Sequence, residues 1–104
     1  MTTSLDSGLA LNRSATAVDY TTVKNDCVVG VTDTSVARTV TLGSVSAFAN
    51  NIVIVKDESG AAGTNNITIA TEGAETIDGA ATLVISANYG AARLYCDGTN
   101  WFTF

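Results

Sequence analysis

The feature that most constrains this chain is the rhythm of residues 51–104, where brief β-branched runs alternate with Gly, Asn, Asp and Ser at nearly regular intervals. Val and Ile suit a pleated, half-buried surface, whereas Gly, Asn, Asp and Ser serve the backbone at turns. A chain written this way makes strand after strand and leaves almost no helix. Residues 17–23 (AVDYTTV), 26–32 (DCVVGVT), 38–42 (RTVTL), 67–69, 75–77, 82–85, 91–96 and 100–104 all read as short strands. Residues 43–50 predict a loop or a single helical turn carrying Phe48 inward. Residues 57–64 predict a long polar loop.

One run differs. Ile52, Val53, Ile54 and Val55 follow each other without interruption, which predicts a strand covered on both faces and therefore central. On that reading a lysine at Ile54 buries an unpaired charge and prevents folding. Asp78-Gly79 is a short-range hairpin signal, and Asp97-Gly98-Thr99 joins the last two strands. About eight or nine strands with turn signals every 8 to 12 residues predict an all-β fold. The expected form is a single-domain antiparallel β-sandwich, jelly-roll-like, or a small barrel, spanning residues 16–104 behind an N-terminal arm of residues 1–15. A faint echo links Asp33-Thr34-Ser35 before residues 39–42 to residues 57–60 before residues 66–69. Its spacings differ, so it reads as reuse of one turn-and-strand chemistry rather than as a repeat.

Composition bounds the partners. A chain of 104 residues suits one domain. The net charge is −5, and the five basic residues Arg13, Lys24, Arg38, Lys56 and Arg93 are scattered. Nucleic-acid binding calls for a clustered cationic face that displaces counterions, so nucleic acid is not an expected partner, nor is an anionic membrane. No apolar stretch has the length of a membrane span, and no basic segment followed by an apolar one opens the chain. Synthesis and use without signal-directed secretion are expected.

Only 14% of residues are charged, and Thr, Ser, Ala and Gly stand in their place. A hydroxyl is far cheaper to desolvate than an ion, so this composition predicts a surface that touches other protein. Proline is absent and charge is sparse. Both are devices that blunt exposed strand edges, and their scarcity predicts edges covered in an oligomer.

Catalytic chemistry finds little to use. The chain has no histidine, which removes Ser-His and Cys-His nucleophile systems and ordinary zinc sites. HExxH, Walker A and GxGxxG patterns are lacking as well. The expectation is no catalytic residue, no metal and no cofactor. Asp57, Glu58, Glu72, Glu75 and Asp78 read as solvated turn carboxylates. A glycosidase-like pair among them, or a weak calcium site of Asp57, Glu58 and loop carbonyls, are the alternatives. Cys27 and Cys96 read as small buried hydrophobes rather than a disulfide.

Aromatic and leucine residues supply the remaining candidates. Tyr89, Tyr95 and Trp101 offer either a sugar-stacking platform or packing. Strand alternation makes Trp101 a core or interface anchor and turns Tyr95 to the side opposite Cys96. Tyr95, Trp101 and Phe104 are therefore candidate interface or packing anchors. Leu5, Leu9 and Leu11 belong either to a frayed terminus or to an arm that docks its leucines on a neighbour.

The segments VKDESG (55–60), NNITI (65–69), TIDGA (76–80) and LYCDGTNW (94–101) together resemble small β modules of tailed bacteriophages. These are capsid decoration (cement) proteins and the distal domains of tail or head fibres. The resemblance covers roughly residues 28–104, rests on turn-and-strand signatures and brings no active-site residue. It implies trimeric β assembly on a virion. Read as a complete chain that starts at Met1 and has no shaft repeats, the sequence fits a decoration protein better than a fibre tip. The expected protein is a homotrimer on the capsid surface, made in the host cytoplasm and bridging major capsid protein subunits. Leu5, Leu9 and Leu11 would form its capsid-contact arm. The alternative is a receptor- or glycan-binding tip whose loops 57–65 and 97–100 read a host surface.

Overall fold

The computed structural model describes residues 11–104, which form nine strands and one helical turn. The strands are β1 (Arg13–Thr16), β2 (Tyr20–Thr21), β3 (Val28–Val31), β4 (Arg38–Leu42), β5 (Ile52–Asp57), β6 (Ile67–Thr71), β7 (Thr82–Ile85), β8 (Ala91–Cys96) and β9 (Trp101–Thr103). The turn α1 (Val45–Phe48) lies between β4 and β5, starts at Ser44 and carries Phe48 into the interior. The fold is mostly β, in two sheets. One has the order β1-β3-β5-β8-β9, the other β2-β4-β6-β7.

The pairing corrects the antiparallel expectation. From β1 to β6 the chain alternates between sheets, and each strand lies parallel to the one two before it in sequence. This half of the molecule winds as a coil. Antiparallel pairing enters only with β6–β7, β5–β8 and β8–β9, where the chain doubles back and closes. Parallel neighbours need a crossover between them, and here the strand of the opposite sheet supplies each one. A jelly roll, built from antiparallel pairs, does not describe this path. The echo seen in the sequence has a structural counterpart: β4 and β6 are adjacent, with Thr39 opposite Thr68 and Val40 opposite Ile69. That register is two residues away from the alignment by likeness, which keeps every side chain on its own face.

Inward rows of both sheets meet in one core. Val29, Val31, Val53, Val55, Leu94, Cys96 and Trp101 come from the five-stranded sheet, while Val40, Leu42, Ile67, Ile69 and Ile85 come from the other. Phe48 and Trp101 pack with ring centroids 5.6 Å apart. Trp101 has no exposed surface, so of the two roles read from sequence it takes the core one. Cys96 is buried and Cys27 half-buried, and both are free thiols.

Two further expectations change. β5 is central, but its burial alternates: Val53 and Val55 are fully enclosed, whereas Ile54 is half-buried and Ile52 is exposed. The β-branched run is therefore one inward row and one outward row, not a strand sealed on both faces. Strand β1 also begins at Arg13, so the sheet takes in residues assigned to the N-terminal arm. Residues 75–77 make no strand of their own. Instead Asp78 and Gly79, both at positive φ, close a two-residue turn between Ile77 and Ala80, and Ile77 bridges to Trp101. That segment covers the β9 edge. Trp101 N–H donates to Thr76 O (2.9 Å), Asp78 N–H donates to Trp101 O (3.0 Å), and Thr103 N–H donates to Asp78 Oδ1 (3.1 Å). The edge is guarded by the chain itself, where the sequence had suggested cover from a neighbour.

Lysine substitutions along β5 test this alternation. Val53→Lys should yield no soluble folded protein, because an unpaired charge would enter the core. Ile54→Lys should remain folded at a cost of at most about 2 kcal/mol, since its side chain leaves the sheet outward. Thermal unfolding followed by circular dichroism decides, and equal behaviour of the two variants would refute the face assignment.

Candidate interaction surfaces

Three surfaces carry the chemistry this chain offers: the outer face of each sheet and the loop end around Asp57. On the five-stranded sheet, residues that alternate with the core row point outward. Register places Ile52 opposite Tyr95 and Tyr95 opposite Phe102, with Ile54 opposite Arg93 in the next row. Ile52, Tyr95 and Phe104 are each 42–53% exposed. Tyr95 lies 5.6 Å from Phe102 and 6.0 Å from Phe104 between ring centroids. Arg93 stacks over the Phe104 ring at 5.4 Å, and its Nε and Nη2 donate to Phe104 O at 3.0 and 2.8 Å. These contacts hold Phe104 against strand β8.

A surface groove of about 510 Å³ runs along this row, lined by Asn50, Ile52, Tyr95, Cys96, Asp97 and Phe104. A second of about 270 Å³ continues from Ile52 to Leu11 through Asn25, Asp26, Cys27 and Asn51. The charged end of the same face is different: Arg13 Nε donates to Glu58 Oε2 at 2.9 Å, beside Gly30. A Cβ at Gly30 would lie 2.2 Å from Glu58 Oε2, so glycine leaves the space this ion pair fills.

The outer face of the four-stranded sheet has another character. Thr39 lies opposite Thr68 and Thr68 opposite Val84, while Thr21 lies opposite Thr41. It is mostly a hydroxyl surface of threonines, as the composition suggested, with the exposed Val84 among them. Of the apolar outward row, the sequence reading named Tyr95 and Phe104 but not the rest. Phe102, Ile52 and Arg93 were missed, although all three lie on the side opposite Cys96 and Trp101 by simple alternation.

At the loop end the carboxylates depart from expectation. Asp57 was read as a solvated turn residue, yet it has no exposed surface. Its Oδ1 accepts from Ser59 N–H (3.0 Å) and Gly60 N–H (2.9 Å), and its Oδ2 from Ala62 N–H (3.0 Å) and Tyr89 N–H (3.0 Å). Thr34 Oγ1 lies 3.4 Å from Oδ1 and accepts from Ala61 N–H. Burial opposes ionisation of Asp57, but the N–H groups of Gly60, Ala62, Tyr89 and Ser59 outweigh it and hold the carboxyl below its usual range. With every lone pair directed at a donor, Asp57 has none left for a cation, and Glu58 faces Arg13. The calcium alternative therefore loses its ligands.

Asp26 is a smaller version of the same device. It accepts from Ser14 Oγ (2.6 Å), Tyr20 Oη (2.6 Å) and Val23 N–H (2.8 Å), and these bonds overcome burial to lower its pKa. Asp97 caps the β8–β9 hairpin through Thr99 and Asn100 N–H, both at 2.8 Å. Among the described residues no three His, Cys, Asp or Glu gather as metal ligands.

Tyr89 is 59% exposed, and its ring sits on Gly60. Gly60 has φ +98°, and a Cβ there would meet the ring at 2.5 Å, so both conformation and contact demand glycine. The sugar platform of Tyr89, Tyr95 and Trp101 is not assembled. Trp101 is in the core, and Tyr89 and Tyr95 belong to separate surfaces. Of the leucine candidates, Leu11 is exposed beside Ile52, while Leu5 and Leu9 lie outside the described residues. Neither the protein-family models nor the curated proteins compared with this sequence match it.

The Asp57 clamp sets a pH dependence. Because its folded pKa is lowered, its stabilisation is complete above the unfolded value of about 3.9 and drains away as pH falls below that. Asp57→Asn should cost roughly 3 kcal/mol at pH 7, since an amide cannot accept all these donors and presents its own N–H groups to some of them. It should also flatten the fall of Tm below about pH 4. An Asp57→Asn melting profile that parallels the wild type across that range would show that the clamp contributes nothing.

Proposed function

We propose that this chain is a virion structural protein of a tailed bacteriophage. In this reading it is a β-sandwich module that assembles as a homotrimer, decorates the capsid and bridges major capsid protein subunits. The observation that carries the proposal is the outward patch of Ile52, Tyr95, Phe102 and Phe104 on one sheet face, with Arg93 beside it stacked on Phe104. Aromatics and arginine are the residue types that dominate protein–protein contacts, because they bury large area with few rotors. The phage-like turn signatures supply the virion context. Asp57, Gly60, Asp78, Gly79 and Asp97 within them all hold turns here, and such work maintains a shape without turnover. The mechanism is binding alone. An ordinary interface buries about 1,600 Å², and many copies multiply that over a shell.

A second reading has its own observation. The exposed Tyr89 ring, held on Gly60 above a loop pinned by Asp57, gives a receptor- or glycan-binding tip a rigid stacking surface. Loss of glycan binding in Tyr89→Ala with an unchanged fold would favour it.

For the first reading, the protein should sediment at three times its 10.6 kDa chain mass and bind empty shells of the phage that encodes it. Tyr95→Ser should lower shell affinity about 30-fold, the effect of losing a central anchor. A monomer that ignores those shells would refute the proposal.

A further inference from the structure

The outer strands of the two sheets are not equally protected. Residues 76–78 cover β9, Arg13 on β1 pairs with Glu58, and β2 is two residues long between Asp19 and Lys24. The remaining edge, β7, has no such device. Arg38 N–H donates to Asn66 O at 3.1 Å, so even-numbered residues along β6 turn their backbone groups toward β4, and Ile67 and Ile69 turn theirs toward β7. Ile67 and Ile69 lie opposite Ile85 and Leu83. Thr82 and Val84 therefore direct their N–H and C=O groups off the free side of the sheet. Among the described residues no other segment's backbone bonds to them.

The chemistry of this edge suits a copy of itself. Residues 79–90 (GAATLVISANYG) carry no charge in a chain of net charge −5, so two copies approach here with the least repulsion. A two-fold axis demands a surface complementary to itself. Antiparallel pairing centred on Val84 meets that demand: Val84 faces Val84 of the second copy, Thr82 faces Ser86, and Leu83 faces Ile85. Hydroxyl meets hydroxyl and apolar meets apolar, each on its own face of the sheet. The outward-turned residues bond in pairs, giving about six hydrogen bonds at two per pair. Leu83 is only half-buried, and a groove of about 210 Å³ beside it is lined also by Ile85, Ala87 and Ala92, so the inner apolar row is open at this edge.

We infer that β7 pairs antiparallel with β7 of a second copy about a two-fold axis at Val84, joining two four-stranded sheets into one. Ile85 of the second copy then lies against Leu83 and closes the apolar row. This contact goes beyond the virion reading, which calls on a three-fold contact and a shell. A two-fold contact can link chains of neighbouring trimers, and neither contact requires the other.

The test is cross-linking of the full chain at defined positions. Under mild oxidation Val84→Cys should form a disulfide between two copies through position 84. Residues opposite each other in such a pair lie about 5.5 Å apart between Cα atoms, within disulfide range. Thr82→Cys alone should not link, since its two sites lie about 13 Å apart along the strands. Mixed with Ser86→Cys it should. Peptide mapping separates these links from any at Cys27 or Cys96. Adding Val84→Lys to the mixed pair should lower the yield several-fold at low salt, with the melting temperature unchanged, because like charges then face each other. Val84→Thr should keep the yield. No link at position 84, which would leave the edge to a strand of a different protein, equal linking by Thr82→Cys alone, or a yield indifferent to Val84→Lys would each overturn the pairing. Shell binding is scored separately: a trimer that binds shells without linking through position 84 overturns only this inference, and a linked pair that ignores shells overturns only the virion reading.

Discussion

A carboxylate without exposed surface, Asp57, ties the two halves of this fold together. It ends β5, the strand that pairs in parallel with β3 and antiparallel with β8, and so marks the change from coil to closure. Its oxygens gather donors from the loop that follows and from Tyr89, thirty-two residues later, just before β8. A loop carrying so many backbone N–H groups at a sheet end must satisfy them or stay in water. One ionised side chain does this for four of them at once, which is how a chain with few charges holds a long irregular connection rigid.

That arrangement explains what was legible beforehand. The strands of residues 38–42, 82–85 and 91–96 stand where their β-branched alternation predicts, and Phe48 goes inward on its single helical turn. These are local properties, written in neighbouring residues. Pairing is not local. Nothing in AVDYTTV shows that the chain will cross to the other sheet after Thr16, or that Val28 will lie beside Ile54 in parallel. Unequal spacing between parallel rungs, 15 residues from Arg13 to Val28 and 26 from Val28 to Ile54, concealed the coil.

The burial of Asp57 was illegible for a related reason. An aspartate before Glu-Ser-Gly looks the same whether its turn closes over it or opens to water. Only the return of residues 88–90 against the same loop decides, and that contact depends on tertiary topology. The outward row was legible in principle. Once Cys96 and Trp101 are placed inside, alternation forces Tyr95 and Phe102 outside, and the pairing of β8 with β5 adds Ile52. The uninterrupted run of residues 52–55 masked it, because a row of apolar residues on each face is indistinguishable in sequence from a strand buried on both.

The two outer faces then pose different physical problems. The threonine face of the four-stranded sheet presents hydroxyls that water satisfies at no cost, so it can stay bare. The face bearing Ile52, Tyr95, Phe102 and Phe104 cannot do so as cheaply, since each exposed apolar side chain forgoes roughly 1.5–3 kcal/mol of burial. Arg93 lowers that cost only for Phe104, by stacking on its ring. Aromatics set side by side on a flat sheet face therefore gain free energy from any apolar surface laid over them, which the threonine face does not.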